Sequence, residues 1–200
     1  MIPNLVIMML SKEISKEEVN NLELGNFSGK IVVLSKEHHK AFAEINEYSI
    51  TGFDTETRPN FRKGEKNKVA LIQIAIPEKV FLLRIYNGNI DQEIIKYLES
   101  DIIKVGVGLK DDISSLNELC NFSPNSMVDL NKVANNLGIK SRGLRKLSAL
   151  CLGFRVSKSQ QTSNWENHKL TNAQIKYAAT DAWVCLEIYN KMKKQRYLYS

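Results

Sequence analysis

Short apolar runs in the first 110 residues of the chain are bounded by polar and turn-forming residues. This pattern predicts β-strands at residues 31–34, 49–55, 69–76, 80–85 and 104–108. The apolar residues of the segments between them recur every three or four positions, which predicts amphipathic helices at residues 38–48, 91–100 and about 111–120. Ser35 is placed to cap the first of these helices.

After residue 125 the pattern becomes helical throughout. Helices are predicted at residues 128–138, 143–153 and 171 to about 195, and Gly138 and Gly153 mark helix ends. Residues 12–30 are polar and predict a short helix and a loop. Strands followed by alternating strands and helices, and then by a helical tail, predict an α/β domain with a mixed sheet flanked by helices.

Composition narrows the class of protein only modestly. The net charge of +6 favours an anionic partner, nucleic acid before an anionic membrane. No apolar stretch reaches the ~20 residues of a membrane span, so we expect no membrane partner. Three widely spaced cysteines lack the spacing of a zinc or redox site and favour reduced thiols in a cytoplasmic protein.

Acidic residues occur in three places that the hydrophobic pattern does not explain: at or just after the ends of two predicted strands and within an apolar helix. Asp54 and Glu56 end the strand "SITGFDTET", and side chains two positions apart on a strand point to the same face. Asp111 and Asp112 follow the glycine-rich strand in "VGVGLKDD". Asp181 lies in an apolar helix, with Tyr177 one turn earlier on the same face.

Each of these acids has a simpler explanation when it is taken alone. The Asp54 and Glu56 pair fits an exposed strand end, one of Asp111 and Asp112 fits a helix cap, and Asp181 fits an ion pair with Lys110 or Arg145. Together they favour a common site, because carboxylates converging from two strand ends and a helix suit hard cations such as Mg²⁺ or Mn²⁺.

The order of these residues resembles the DEDDy 3′-5′ exonucleases. The segments "GFDTETRP", "VALIQIA", "VGVGLKDD", "GLRKL", "LGFRVSKSQQTSNWE" and "LTNAQIKYAATDAW" are similar to the Werner-type branch of that family, which is related to ribonuclease D. The resemblance covers roughly residues 30–192. It implies a ribonuclease-H-like fold with a five-stranded mixed sheet and helices on both faces, formed by residues 30–200 after an N-terminal extension of residues 1–29.

The resemblance also implies a role for each residue of the motif. Asp54, Glu56, Asp112 and Asp181 would hold two divalent ions, Mg²⁺ or Mn²⁺, with Asp54 bridging both. Tyr177 would orient the attacking water, and Glu56 would help to position or deprotonate it. In the family the second-motif acid follows V-G-V-G by four positions, which selects Asp112 over Asp111. The implied reaction is two-metal-ion hydrolysis from the 3′ end that releases nucleoside monophosphates, with DNA favoured.

Two polar segments are predicted to hold the substrate strand. Residues 58–68 carry five Lys or Arg against one Glu, so Arg58, Phe61 and Arg62 are predicted to grip phosphates or stack on a base; the alternative is a solvated loop. Residues 157–165, "SKSQQTSNW", are rich in donors and contain no acid. Strand contacts are predicted there for Lys158, Ser159, Gln160 and Trp165. The alternative is a surface loop anchored by Trp165.

Three other functions compete with the one that the resemblance implies. "FDTET" nearly matches the D-x-D-x-T of haloacid-dehalogenase-type phosphatases, but that class leaves Tyr177 and Asp181 without a role. A silent nucleic-acid-binding module would not need all four acids. A ribonuclease D-like enzyme that trims RNA 3′ ends fits equally well, since the basic segments do not distinguish DNA from RNA. The expected partner is the 3′ end of a single strand or recessed duplex, and any helicase or repair partner is expected to be a separate chain.

Overall fold

The structure is a computed structural model that describes residues 12–58 and 68–194. Its centre is a six-stranded sheet in the order β1-β4-β3-β2-β5-β6. The strands are β1 (Lys30–Leu34), β2 (Ile50–Thr57), β3 (Val69–Ile76), β4 (Lys79–Arg84), β5 (Ile103–Gly106) and β6 (Met127–Asp129).

Only β3 runs antiparallel to its neighbours, which are β2 and β4. The β1–β4, β2–β5 and β5–β6 pairs are parallel. The carboxyl ends of β2 and β5 therefore lie side by side at one edge of the sheet. The β2–β3 register shifts between Glu56 and Thr57, so the regular pairing of β2 ends just after its second acidic residue.

Helices cover both faces of the sheet, and α7 crosses β2 on one of them. They are α1 (Lys16–Asn21), α2 (His39–Ile45), α3 (Gln92–Glu99), α4 (Leu109–Asn117), α5 (Leu130–Asn136), α6 (Leu144–Leu152) and α7 (Asn172–Lys194). One apolar cluster packs α2, α3 and α4 against the sheet, and two others pack α7 against it. In the described part of the chain, no helix combines the length and the apolar character that crossing a membrane requires.

Gly52 determines how closely α7 approaches β2. A Cβ atom at this position would collide with the carbonyl oxygen of Ala182 in α7, so only glycine allows the backbones of strand and helix to touch here. Asp181 precedes Ala182, and Asp54 follows Gly52 by two positions. The contact therefore brings the two aspartates together.

The fold agrees with the predicted ribonuclease-H-like class, but the sheet has six strands rather than five. The prediction for residues 128–138 is wrong at its start, because residues 127–129 form β6 and pair with β5. Asp129 then caps α5 by accepting a hydrogen bond from the Asn131 backbone N–H. A three-residue strand that ends in a helix cap is too short to show a period of its own.

Two helix starts also differ from the prediction. The N-cap of α2 is His38 rather than Ser35, and it makes no side-chain cap bond. Residue 37 stands between them with a left-handed backbone (φ 57°), which turns the chain after β1 and delays the helix. The helix expected from about residue 111 begins at Leu109, directly after Gly108, whose φ of 78° makes the turn out of β5. Gly138 and Gly153 lie at helix ends as predicted.

Candidate active site

Three carboxylates meet where β2 passes under α7. Asp54 and Glu56 alternate with Thr55 along β2, so they leave the sheet on the same face. Asp181 points down from α7, and its side chain is buried. One carboxylate oxygen from each of the three residues lies within 4.8 Å of the other two. The structure thus brings together three of the four acids that the sequence singled out.

The fourth acid approaches from the first turn of α4. Asp112 is half-buried and accepts a hydrogen bond from Thr55 Oγ1, whereas Asp111 is exposed. Burial is the largest cause of the raised pKa of Asp54 and of Glu56, and the charge of Asp112 adds to it in both. Of the two adjacent aspartates, the structure directs Asp112 towards the site.

Tyr177 lies one helical turn before Asp181 on α7, and its hydroxyl is close enough to the Asp181 carboxyl group for each to shift the pKa of the other. Burial, followed by the charges of Asp181 and Glu56, raises the pKa of the Tyr177 hydroxyl well above its ordinary value. The phenol therefore keeps its proton at neutral pH. Its ring packs against Trp165, with ring centroids 6.0 Å apart.

The pKa of each of the four carboxyl groups is raised, and for Asp54 and Glu56 the charges of neighbouring acids add to the effect of burial. Burial is the largest cause for each of them: it raises the pKa of Glu56 to about 9, of Asp181 to about 7 and of Asp112 to about 6. The pKa of Asp54 is also raised, by burial first and then by the charges of the other three acids. Within residues 12–58 and 68–194 no Lys or Arg forms an ion pair with any of them.

This group of carboxylates fits a bound divalent cation. The ligand atoms are all carboxylate oxygens, which hard divalent cations prefer. A cation between them would supply the positive charge that the described side chains do not supply. Asp54, Glu56 and Asp181 are therefore the nearest candidate ligands, and Asp112 stands beside them.

Asp54, Glu56, Asp181 and Tyr177 line a cavity of about 640 Å³, whereas Asp112 does not. The remaining wall is rich in cationic side chains, namely Lys16, Arg142, Arg145, Lys146 and Lys158. Basic side chains in the lining would attract a polyanion. Metal ions held by the acids would bind its reacting group.

The predicted strand-binding residues have mixed outcomes. Lys158 lines the cavity, but Ser159 and Gln160 do not; the neighbouring Gln161 does. Ser159 instead hydrogen-bonds Ser157 through both its N–H and its hydroxyl. Arg58 forms an ion pair with Glu166, and Phe61 and Arg62 lie outside the described residues.

The prediction that Trp165 contacts the strand is wrong for this structure. Its side chain is 0% exposed and belongs to the apolar cluster between α7 and the sheet. It supports the Tyr177 ring and anchors residues 157–165, which was the alternative role. Arg142 was not identified from the sequence, and Arg145 was considered only as an ion-pair partner of Asp181, although "SRGLRKL" shows three cations around a helix start.

Comparison with known proteins adds an independent observation. The sequence model of a family described as 3′-5′ exonuclease matches residues 30–196. The chain is 32% identical over 187 residues to the bifunctional 3′-5′ exonuclease/ATP-dependent helicase WRN of Mus musculus, covering 86% of this chain and 13% of that protein. It is 30% identical over 154 residues to DNA polymerase I of Aquifex aeolicus, covering 77% and 25%. It therefore spans at most 25% of either relative.

A solved structure shows the same fold at lower identity. The crystal structure of Escherichia coli RNase D, an exoribonuclease involved in structured RNA processing, superposes with a TM-score of 0.73 at 20% identity. The superposition covers 84% of this chain and 45% of that one. At this level of identity the likeness concerns the fold alone.

Proposed function

This chain belongs to the 3′-5′ exonuclease family, and we propose that it hydrolyses phosphodiester bonds of nucleic acid stepwise from the 3′ end, with DNA favoured. The products are nucleoside monophosphates. The observation that carries the proposal is the meeting of Asp54, Glu56 and Asp181 within 4.8 Å, with Tyr177 one helical turn before Asp181 on α7. The phosphatase alternative gives no role to Tyr177 or Asp181.

Membership of this family implies dependence on divalent metal, and we assign the ions as Mg²⁺ or Mn²⁺, two per site. Asp54, Glu56, Asp112 and Asp181 would hold them, with Asp54 shared. When bound, such ions neutralise the phosphate, lower the pKa of water and stabilise the leaving 3′ oxygen. The all-oxygen ligand set supports this assignment over zinc, which favours nitrogen and sulfur ligands.

The protein's own groups orient the attacking water. Because the raised pKa of Tyr177 keeps its hydroxyl protonated, that hydroxyl serves as a hydrogen-bonding group rather than as a base. Glu56 would help to position the water and to accept its proton, since it lies near the end of β2 beside Asp181. Lys158 on the cavity wall would hold the strand by its phosphates.

The preference for DNA rests on the identity to a DNA polymerase I, and RNA trimming is the second candidate. The likeness in fold to RNase D favours RNA. The cytoplasmic location predicted from the cysteines, and a helicase or repair partner on a separate chain, remain predictions.

The test is digestion of 5′-labelled single-stranded DNA, recessed-3′ duplex DNA and RNA of the same sequence. Each is incubated with Mg²⁺, Mn²⁺, Zn²⁺ or EDTA, and Asp54→Asn is the matched inactive control. We expect ladders that shorten from the 3′ end with Mg²⁺ or Mn²⁺, fastest on DNA. Cleavage of circular single strands, or activity that survives EDTA, would contradict the proposal, and faster shortening of RNA would replace DNA by RNA.

A further inference from the structure

One wall of the cavity is built by residues that precede the match to the family. Lys16, Val19 and Asn20 on α1 line the same cavity as Asp54 and Glu56, yet the match begins at residue 30. The two acidic residues of α1, Glu17 and Glu18, do not line the cavity. Glu18 is tied back to Ser15 in a capping box. The helix therefore presents a cation and an amide to the cavity.

Hydrogen bonds hold this segment to the exonuclease domain along its length. Arg155 donates from its N–H to the Glu23 carbonyl and from Nε to the Leu22 carbonyl, both at 2.9 Å. The Gly25 N–H donates to the Arg155 carbonyl at 2.9 Å. Backbone-to-backbone pairing of this kind fixes the segment as an edge of the domain.

The far end of the segment is fixed beside the catalytic helix. The Phe27 N–H donates to Thr180 Oγ1 at 3.0 Å, and Thr180 immediately precedes Asp181. The Phe27 ring is 6% exposed and packs on Trp183, with centroids 5.7 Å apart. Val19 is 2% exposed and anchors α1 itself. These contacts position residues 19–27 beside the helix that carries Asp181.

The segment also positions a cation that belongs to the domain. Asn20 Oδ1 accepts a hydrogen bond from Arg145 Nη2 at 3.0 Å, and Arg145 also bonds the Val156 carbonyl. Lys16 lies one helical turn before Asn20, so its ammonium group adds to the charge of Arg145 on the same wall.

We propose that residues 12–27 form one wall of a strand-binding channel, in which Lys16, and Arg145 held by Asn20, bind backbone phosphates on the 5′ side of the scissile bond. The inference rests on the proposed exonuclease function. A nucleic acid strand carries one negative charge per nucleotide and would be repelled by the acids unless cations hold the phosphates that do not react. The ligand is the phosphodiester backbone, which DNA and RNA share, and its recognition is independent of sequence.

The test compares two charge reversals of exposed lysines. Lys16→Glu changes the wall, and Lys30→Glu makes the same change at the start of β1, the strand at the far side of the sheet from the cavity. With a 15-nucleotide single strand we expect Lys16→Glu to raise KM on the order of five- to tenfold with little change in kcat. Lys30→Glu should resemble the wild type. A dinucleotide without a 5′ phosphate has no phosphate on the 5′ side of the scissile bond, so with this substrate the two variants should be equal.

A second measurement separates this inference from the catalytic proposal. Binding of a fluorescent 15-nucleotide strand is followed by anisotropy in the Asp54→Asn background, between 50 and 200 mM salt. Adding Lys16→Glu should weaken binding and reduce the slope of log affinity against log salt by about 1. Equal effects of Lys16→Glu and Lys30→Glu, an equal KM effect on the dinucleotide, or no binding at low salt would overturn the channel. Loss of hydrolysis with Asp54→Asn alone bears only on the exonuclease function.

Discussion

Thr55 Oγ1 donates a hydrogen bond to Asp112 Oδ1 and so joins the end of β2 to the first turn of α4. Thr55 stands between Asp54 and Glu56 on the strand, and its side chain leaves the sheet on the opposite face. The bond holds Asp112 against the end of β2 that carries Asp54 and Glu56, while Asp111 remains exposed. The second acidic motif is therefore attached to the first by a side-chain contact.

The first prediction separates the two adjacent aspartates. Asp112→Asn should lower the single-turnover rate at least on the order of 10²-fold, because it removes a carboxylate from the predicted metal site. Asp111→Asn changes the same charge on an exposed side chain and should stay within about twofold of the wild type. If the two variants exchange effects in a digestion of labelled single strands, the second motif is misassigned by one residue.

The second prediction concerns Tyr177. Tyr177→Phe keeps the ring against Trp165 and removes only the hydroxyl, so a loss on the order of 10²–10³ in kcat is expected for one positioning hydrogen bond. Metal-dependent thermal stabilisation should not change, which shows that the fold and the acids are intact. Wild-type kcat in single-turnover digestion would reduce Tyr177 to a core residue.

The third prediction follows from the raised pKa values of the acids. Without metal the folded chain holds protons at pH values where the unfolded chain, with ordinary carboxyl groups, has lost them. Stability of the metal-free form should therefore fall as pH rises from about 4 through the pKa of Asp112 near 6, of Asp181 near 7 and of Glu56 near 9. Asp54→Asn should flatten this fall.

Thermal melts in EDTA between pH 5 and 9 measure the effect. Each kcal/mol corresponds to about 2–4 °C in Tm for a chain of this size. The matched control is Glu47→Gln, because Glu47 is an exposed carboxylate in the turn after α2. A wild-type Tm that rises over this range, or the same profile in Asp54→Asn and wild type, would refute the mutual repulsion of the acids.

The fourth prediction concerns metal binding apart from turnover. Mg²⁺ or Mn²⁺ should raise the Tm of the wild-type protein, and more at pH 8 than at pH 6, because the ion displaces protons from the raised carboxyl groups. Asp54→Asn should lose most of this stabilisation, whereas Asp111→Asn should keep it. Titration of the melting temperature against metal concentration gives the result, and an equal response from both variants would argue against a site at Asp54.

Much of the site could be predicted because it depends on local spacing. Two positions on a strand and four on a helix fix the shared faces of the Asp54–Glu56 and Tyr177–Asp181 pairs. The burial of Trp165 could not be predicted in the same way. Its loop is polar on both sides, and only the tertiary packing under α7 shows that the indole points inward.

Two features of the fold could not be predicted from the sequence because they depend on contacts between distant parts of the chain. β6 is defined by three backbone pairs to β5 rather than by its own pattern, so its sequence resembled the start of a helix. The contribution of α1 to the cavity depends on contacts across more than 100 residues of chain, such as that between Asn20 and Arg145. A local pattern identifies α1 as a helix but contains no information about the surface that it covers.

The contact of Gly52 with Ala182 also bears on how this site tolerates sequence change. The separation between Asp54 and Asp181 depends on the direct contact between the β2 backbone at Gly52 and the α7 backbone at Ala182. Substitutions among Leu, Ile and Val in the apolar clusters around this contact should cost little stability and leave the contact in place. The interior of the domain therefore tolerates changes of sequence that Gly52 does not, because Gly52 preserves the spacing of the acids.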